Sequence, residues 1–180
     1  MKTMLRIVLS LSLVSLAYAA DDVVSAVHGT VSKVDSAGHT VVVKTADGTE
    51  HSLHYVKETT IHGVHASADA AKDSWHGVTE GTEVVAHYTK RGTEDTAVEV
   101  DKVGKDGLKA TEGTIKTIDR GGKTIVVKTA DGTEETFRLT GHAAKDGGKD
   151  IGEGSEKGAK VVVYSTEESG KKVAHFFEKI

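Results

Sequence analysis

Thr40-Val41-Val42-Val43-Lys44-Thr45-Ala46-Asp47-Gly48-Thr49-Glu50 returns 84 residues later as Thr124-Ile125-Val126-Val127-Lys128-Thr129-Ala130-Asp131-Gly132-Thr133-Glu134. Eleven aligned positions with one Val/Ile exchange are beyond chance, so the chain contains an internal repeat. Upstream, Gly29-Thr30-Val31 and Val34-Asp35 match Gly113-Thr114-Ile115 and Ile118-Asp119 at the same offset. Downstream the match continues with small length changes, which belong in loops. Ala70-Ala71-Lys72-Asp73 answers Ala143-Ala144-Lys145-Asp146, and Val84-Val85-Ala86 answers Val161-Val162-Val163. The two copies are expected over residues 27–103 and 111–180, with residues 104–110 (Gly-Lys-Asp-Gly-Leu-Lys-Ala) as a short linker.

Within each copy the hydrophobic period is two, that of a strand. Val41 and Val43 alternate with Thr40, Val42 and Lys44, and Leu53 and Tyr55 alternate with Ser52 and His54. β-Branched residues dominate these runs, as a pleated, half-buried surface prefers. Val41, Val43, Leu53, Ile125, Val127 and Phe137 are therefore the expected core. Asp47-Gly48 and Asp131-Gly132 read as hairpin connections, with earlier turns at residues 36–38 and 120–122. Later hairpins turn at residues 91–93 and 168–170. One stretch reads as a helix: Ser67 is a plausible N-cap for residues 68–73, with Gly77 as its stop. The second copy is rich in glycine around Gly147-Gly148, so its helix should be shorter. The expected fold is all-β and mainly antiparallel: two tandem small barrels, each of five or six strands and one short helix. Closure removes the sheet edges that invite aggregation.

The N-terminus has the three parts of a secretory signal: Lys2 and Arg6, an apolar run over residues 7–16, then Ala17-Tyr18-Ala19. That run is well short of the roughly 20 residues that cross a bilayer, so residues 1–19 are expected to be removed. An extracytoplasmic, soluble product follows, periplasmic or secreted, with no transmembrane segment after signal removal. The chain has no cysteine, which excludes disulfides, cysteine-ligated metals and lipid attachment through a processed N-terminal cysteine. Cleavage leaves 21 basic and 27 acidic side chains, a net charge of −6. Such a chain has no electrostatic attraction for nucleic acid, and no nucleic-acid partner is expected.

The spacing G-x-V-x-x-V-D, then T-V-x-V-K-T-x-D-G-T, then a G-x-x-V-x-V strand resembles exported bacterial domains of unknown function. These are regarded as oligonucleotide/oligosaccharide-binding-like (OB-like) small barrels. The resemblance covers nearly all of the mature chain, once per repeat. It implies a barrel and a cell-envelope setting, and it carries no catalytic residues to transfer.

Histidine is unevenly spread. Eight of the ten histidines fall in the first copy, which also carries 8 basic and 15 acidic side chains over residues 21–106. Neutral imidazoles in an acidic module suit Zn²⁺, Cu²⁺ or Ni²⁺. The candidate ligands are the close pairs His51-x-x-His54 and His62-x-x-His65. Two observations oppose that reading. His28, His39, His51 and His54 align with Glu112, Lys123, Glu135 and Arg138, positions where the fold accepts a full charge and which should be solvated. Residues i and i+3 of a strand also face opposite ways, so His51 and His54 should not converge. His62 and His65 meet only if the chain turns at Gly63.

Copper(I)-carrying small barrels depend on methionine thioethers, and both methionines here, Met1 and Met4, leave with the signal. No G-x-S-x-G, H-E-x-x-H or phosphate-cradling loop occurs. The sequence therefore points to a non-enzymatic exported binding or structural module. Its partner would be a protein, glycan or envelope component, and no cofactor is required. Divalent-metal binding through the first copy is the alternative.

Overall fold

A computed structural model describes residues 24–63, 75–119, 121–140 and 157–180. Among these described residues, ten strands form two closed five-stranded barrels. The first is built from β1 (Val24–Asp35), β2 (Thr40–Lys44), β3 (Glu50–His62), β4 (Glu83–Arg91) and β5 (Glu94–Lys102), in the spatial order β1-β2-β3-β5-β4. The second uses β6 (Lys109–Asp119), β7 (Thr124–Lys128), β8 (Glu134–Leu139), β9 (Lys160–Glu168) and β10 (Lys171–Lys179), in the order β6-β7-β8-β10-β9. Registers correspond at the offset of the sequence repeat: Val41 pairs with Leu53, and Ile125 with Phe137.

Each barrel contains one parallel pair, β3 with β5 and β8 with β10. The other four pairs of each barrel are antiparallel, so the sheet is mainly antiparallel as expected, and the fifth pair makes it mixed. The reason is parity: directions cannot alternate all the way round a ring of five, so at least one neighbouring pair must run parallel. No helix occurs among the described residues. The helix expected over residues 68–73 and its counterpart near Gly147-Gly148 lie outside them, as does the N-terminal segment 1–19.

A long first strand serves two neighbours in each barrel. β1 pairs with β4 through residues 24–30 and with β2 through residues 30–35, with a register shift between Val31 and Lys33. β6 does the same, shifting between Ile115 and Thr117. Such a bulge bends the strand and increases its twist, which lets one strand turn the barrel's corner. The repeated glycine at this corner has a steric reason. A Cβ on Gly113 would lie 2.6 Å from the Lys128 carbonyl oxygen and 2.5 Å from Val127 Cγ1, and one on Gly29 would strike the Lys44 carbonyl. Gly113→Ala is expected to destabilise the second barrel by about 1–3 kcal/mol through this overpacking. A urea titration checks it, with an unchanged midpoint as the contrary result.

The Asp-Gly turns match atom for atom. Gly48 and Gly132 both take φ of 88°, and their amides donate to Thr45 O and Thr129 O at 3.0 Å. Asp47 and Asp131 each accept the amide of the following threonine, Thr49 or Thr133, at 3.0 Å. The Thr45 and Thr129 hydroxyls also donate to these carboxylates. Those hydroxyl bonds, then the threonine amides, hold both aspartates below the usual carboxylate range. A depressed carboxylate stabilises above its unfolded pKa, and the contribution disappears as pH falls through the folded value. Protection of the Thr49 and Thr133 amides against hydrogen exchange, corrected for intrinsic rates, should therefore fall in acid below the normal Asp range. Protection that stays constant there would contradict the turn geometry.

All six expected core residues are buried, none above 1% exposed. In the first barrel they join Val31, Val84, Ala86, Val100 and a Tyr55–Trp75 stack with ring centroids 4.1 Å apart. In the second they join Ile115, Val161, Val163, Ala174 and Phe177. No helix of the described residues is long and apolar enough to cross a membrane.

A third cluster lies between the barrels. Val85 of β4, Leu108, Tyr164 of β9 and Phe176 of β10 are buried together, with Ala26, Val103 and Val162 packed against them. Val85 projects from the outer face of its barrel, opposite to the inward Val84 and Ala86, yet is fully buried because the other barrel covers it. The connecting segment is knitted in: Leu108 N donates to Lys102 O at 2.7 Å and Gly104 N to Leu108 O at 2.8 Å. β6 already begins at Lys109.

Candidate metal centre

Strand pairing lays out a row across the covered outer face of the first barrel. His62 pairs with Asp101, Asp101 with Val85, and Val85 with His28. One step along, Thr60, Glu99, His87 and Ala26 form a second row. Paired residues in neighbouring strands share a face, so an acidic and imidazole-rich patch stands on either side of Val85. β5 reads Val98-Glu99-Val100-Asp101, and period two sends both acids outward while Val100 enters the core.

At one side, His62 Nδ1 lies 2.7 Å from Asp101 Oδ1 and 3.3 Å from Glu99 Oε1. One donor atom from each of these three side chains falls within 4.8 Å of the others. Asp101 is only 1% exposed, and its Oδ2 accepts no hydrogen bond. The second barrel contributes His175 from β10. A register shift between Ala174 and Phe176 leaves His175 in a bulge, the device by which a strand re-aims a side chain. Its Nε2 is 3.0 Å from Thr166 Oγ1, while Nδ1 faces the acids, 3.6 Å from both Glu99 Oε1 and Asp101 Oδ2.

The electrostatics separate the two carboxylates. The polar contact with His175, helped by the charges of His87 and His62 and opposed by burial, holds Glu99 at about 2. Burial, then the Glu99 charge, pushes Asp101 above its ordinary value. Two carboxylates crowded together cannot both ionise at the normal pKa. Burial works against a charged His175, but Glu99 and Asp101 outweigh it and raise the imidazole's pKa.

On the other side of Val85, His28 Nε2 meets Glu83 Oε1 at 2.9 Å and Nδ1 meets Glu178 Oε2 at 3.0 Å. The Tyr164 hydroxyl donates to Glu178 at 2.9 Å, and its ring lies 4.6 Å from that of His28. Burial first, and then this carboxylate, push the Tyr164 phenol upward. The two acids contact opposite ring nitrogens of His28, so they bridge the barrels but do not converge on one point.

The four histidines proposed from sequence have different fates. His62 belongs to the cluster. His65 lies outside the described residues; the chain does turn at Gly63, which has φ of 73°. His51 and His54 do not converge: His51 shares the parity of the inward Leu53 and Tyr55, and His54 the opposite one. Their rings instead neighbour Tyr88 and His39 respectively, at 6.3 Å in each case. The expectation of a solvated His28 is corrected, because the second barrel covers it where nothing covers the exposed Glu112. Glu99, Asp101 and His175 escaped the sequence reading. The i, i+2 spacing of the two acids was visible, but the surface that buries them was not.

No protein-family model matches the chain, and no curated protein shows significant similarity to it. Among solved structures, the crystal structure of Ag(I)CusF is similar at 11% identity, covering 44% of this chain and 97% of that one, with a TM-score of 0.33.

Proposed function

We propose that this chain is a non-enzymatic exported protein that binds a divalent transition metal of the zinc type through His62, Glu99 and Asp101. The observation that carries the reading is the convergence of three donor atoms on one spot beside a buried aspartate oxygen that accepts no hydrogen bond. Imidazole and carboxylate donors suit Zn²⁺, and neither thiolate nor thioether is available for Cu(I). Two carboxylates balance the charge of a divalent cation, so the loaded site is neutral where it is buried. That removes the like-charge conflict between Glu99 and Asp101. Export is supported by the signal-type N-terminus, Lys2 and Arg6 before an apolar run and Ala17-Tyr18-Ala19.

Calorimetric titration of the intact chain with Zn²⁺ at neutral pH tests the proposal. Micromolar or tighter binding is expected, and the near-isosteric Asp101→Asn should weaken it at least tenfold. Absence of binding by the parent, or equal binding by Asp101→Asn, would contradict it. Affinity should also fall in acid, because imidazole binds metal only when neutral.

A further inference from the structure

We infer that the metal is held between the two barrels, with His175 Nδ1 as a fourth ligand, so that loading the site ties one barrel to the other. This rests on the reading of His62, Glu99 and Asp101 as ligands. It moves the site from the first barrel, where the sequence concentrates histidine, to the junction.

The approach of His175 Nδ1 to both acids makes it the candidate fourth ligand. Zinc bonds nitrogen and oxygen at about 2.0–2.1 Å, so neighbouring donors of a tetrahedral site stand about 3.3 Å apart. The separations found are 2.7 Å from His62 Nδ1 to Asp101 Oδ1 and 3.3 Å to Glu99 Oε1, and 3.6 Å from His175 Nδ1 to Glu99 Oε1 and to the other Asp101 oxygen, Oδ2. One imidazole thus approaches each Asp101 oxygen and both approach Glu99 Oε1; His175 stands outside the 4.8 Å group of His62, Glu99 and Asp101, so seating an ion requires its ring to move in toward the acids. His175 also has the support that metal-bound histidines carry: the ring nitrogen remote from the site is fixed by a hydrogen-bond partner, Thr166. Thr166 is thus a positioning residue. It determines which nitrogen faces the acids, and it comes from the same barrel as His175.

The arrangement also gives the covered face a purpose. Barrels could dock through Val85, Leu108, Tyr164 and Phe176 alone. Placing Asp101 beside Val85, almost fully buried with one oxygen accepting no hydrogen bond, costs desolvation that the facing His175 imidazole 3.6 Å away offsets in part and a bound cation would offset further.

The test uses the full chain loaded with one equivalent of Cu²⁺ as a spectroscopic probe and Zn²⁺ for affinity. Electron paramagnetic resonance should show two imidazole nitrogens in the parent and one in either His62→Ala or His175→Ala. Zn²⁺ affinity should fall at least tenfold in His175→Ala and about tenfold in Thr166→Val, and return in Thr166→Ser. A single nitrogen in the parent overturns the inference by itself, whether or not the variants fold. So does Zn²⁺ affinity in a folded His175→Ala equal to the parent's, which would leave the three-residue site of the first barrel standing. A parent that binds no metal overturns both that site and the bridge.

Discussion

Val43→Asp is expected to unfold the first barrel. Val43 has no exposed surface and packs among Val31, Val41, Leu53 and Val84. Burying its side chain is worth roughly 1.5–3 kcal/mol, and an unpaired carboxylate there adds several more of penalty. A domain this small has only about 5 kcal/mol or a little more to lose. The only tryptophan makes the result easy to assign. Trp75 is buried in the first barrel and stacked on Tyr55, so its emission should shift to that of a solvated indole in Val43→Asp. The matching change Val127→Asp strikes the second core and should leave Trp75 native. Val43→Asp melting like the parent would mean that the strand register is wrong.

Val85→Glu should have an equally large effect on a different property. Val85 points out of its barrel into the junction, with Asp101 and His28 paired on either side. A second carboxylate in that row, beside Asp101 and with Glu99 one step along, is both desolvated and repelled, at a cost of several kcal/mol. The barrel's own core keeps all its members, so Trp75 should stay native while the barrels part. Small-angle X-ray scattering should show a larger radius of gyration, and Zn²⁺ affinity should fall with it. An unchanged radius would show that the apolar cluster does not govern docking.

These two residues also mark how far the sequence was readable. Val43 belongs to a period-two run repeated 84 residues later, and its burial follows from alternation alone. The Asp-Gly turns were equally legible, whereas Gly29 and Gly113 showed in the sequence only as repeated positions and their steric role at the corner comes from the structure. The parallel pair was implicit in a ring of five strands, though no residue announces it. Val85 differs because it sits in Val84-Val85-Ala86, where continuous apolarity hides which residues face out. Only the docked second barrel explains it.

The metal centre has the same difficulty in stronger form. Histidine count drew attention to the first repeat, and His62 was found that way. Glu99 and Asp101 resemble ordinary solvent-facing positions of an alternating strand. His175 lies in the histidine-poor repeat, turned toward them by a bulge that depends on pairing with β9. Alignment of the copies misled at His28 for a related reason: equivalent positions in two barrels share local structure, but only one of them is covered. Ligands gathered from separate barrels leave no spacing in the sequence.

Anomalous diffraction at the zinc edge, from crystals of the intact chain grown with one equivalent of Zn²⁺, tests the central claim most directly. A single strong peak within bonding distance of His62, Glu99, Asp101 and His175 is the predicted result. A peak at His39 and His54 or another surface histidine, with none at the junction, would contradict it.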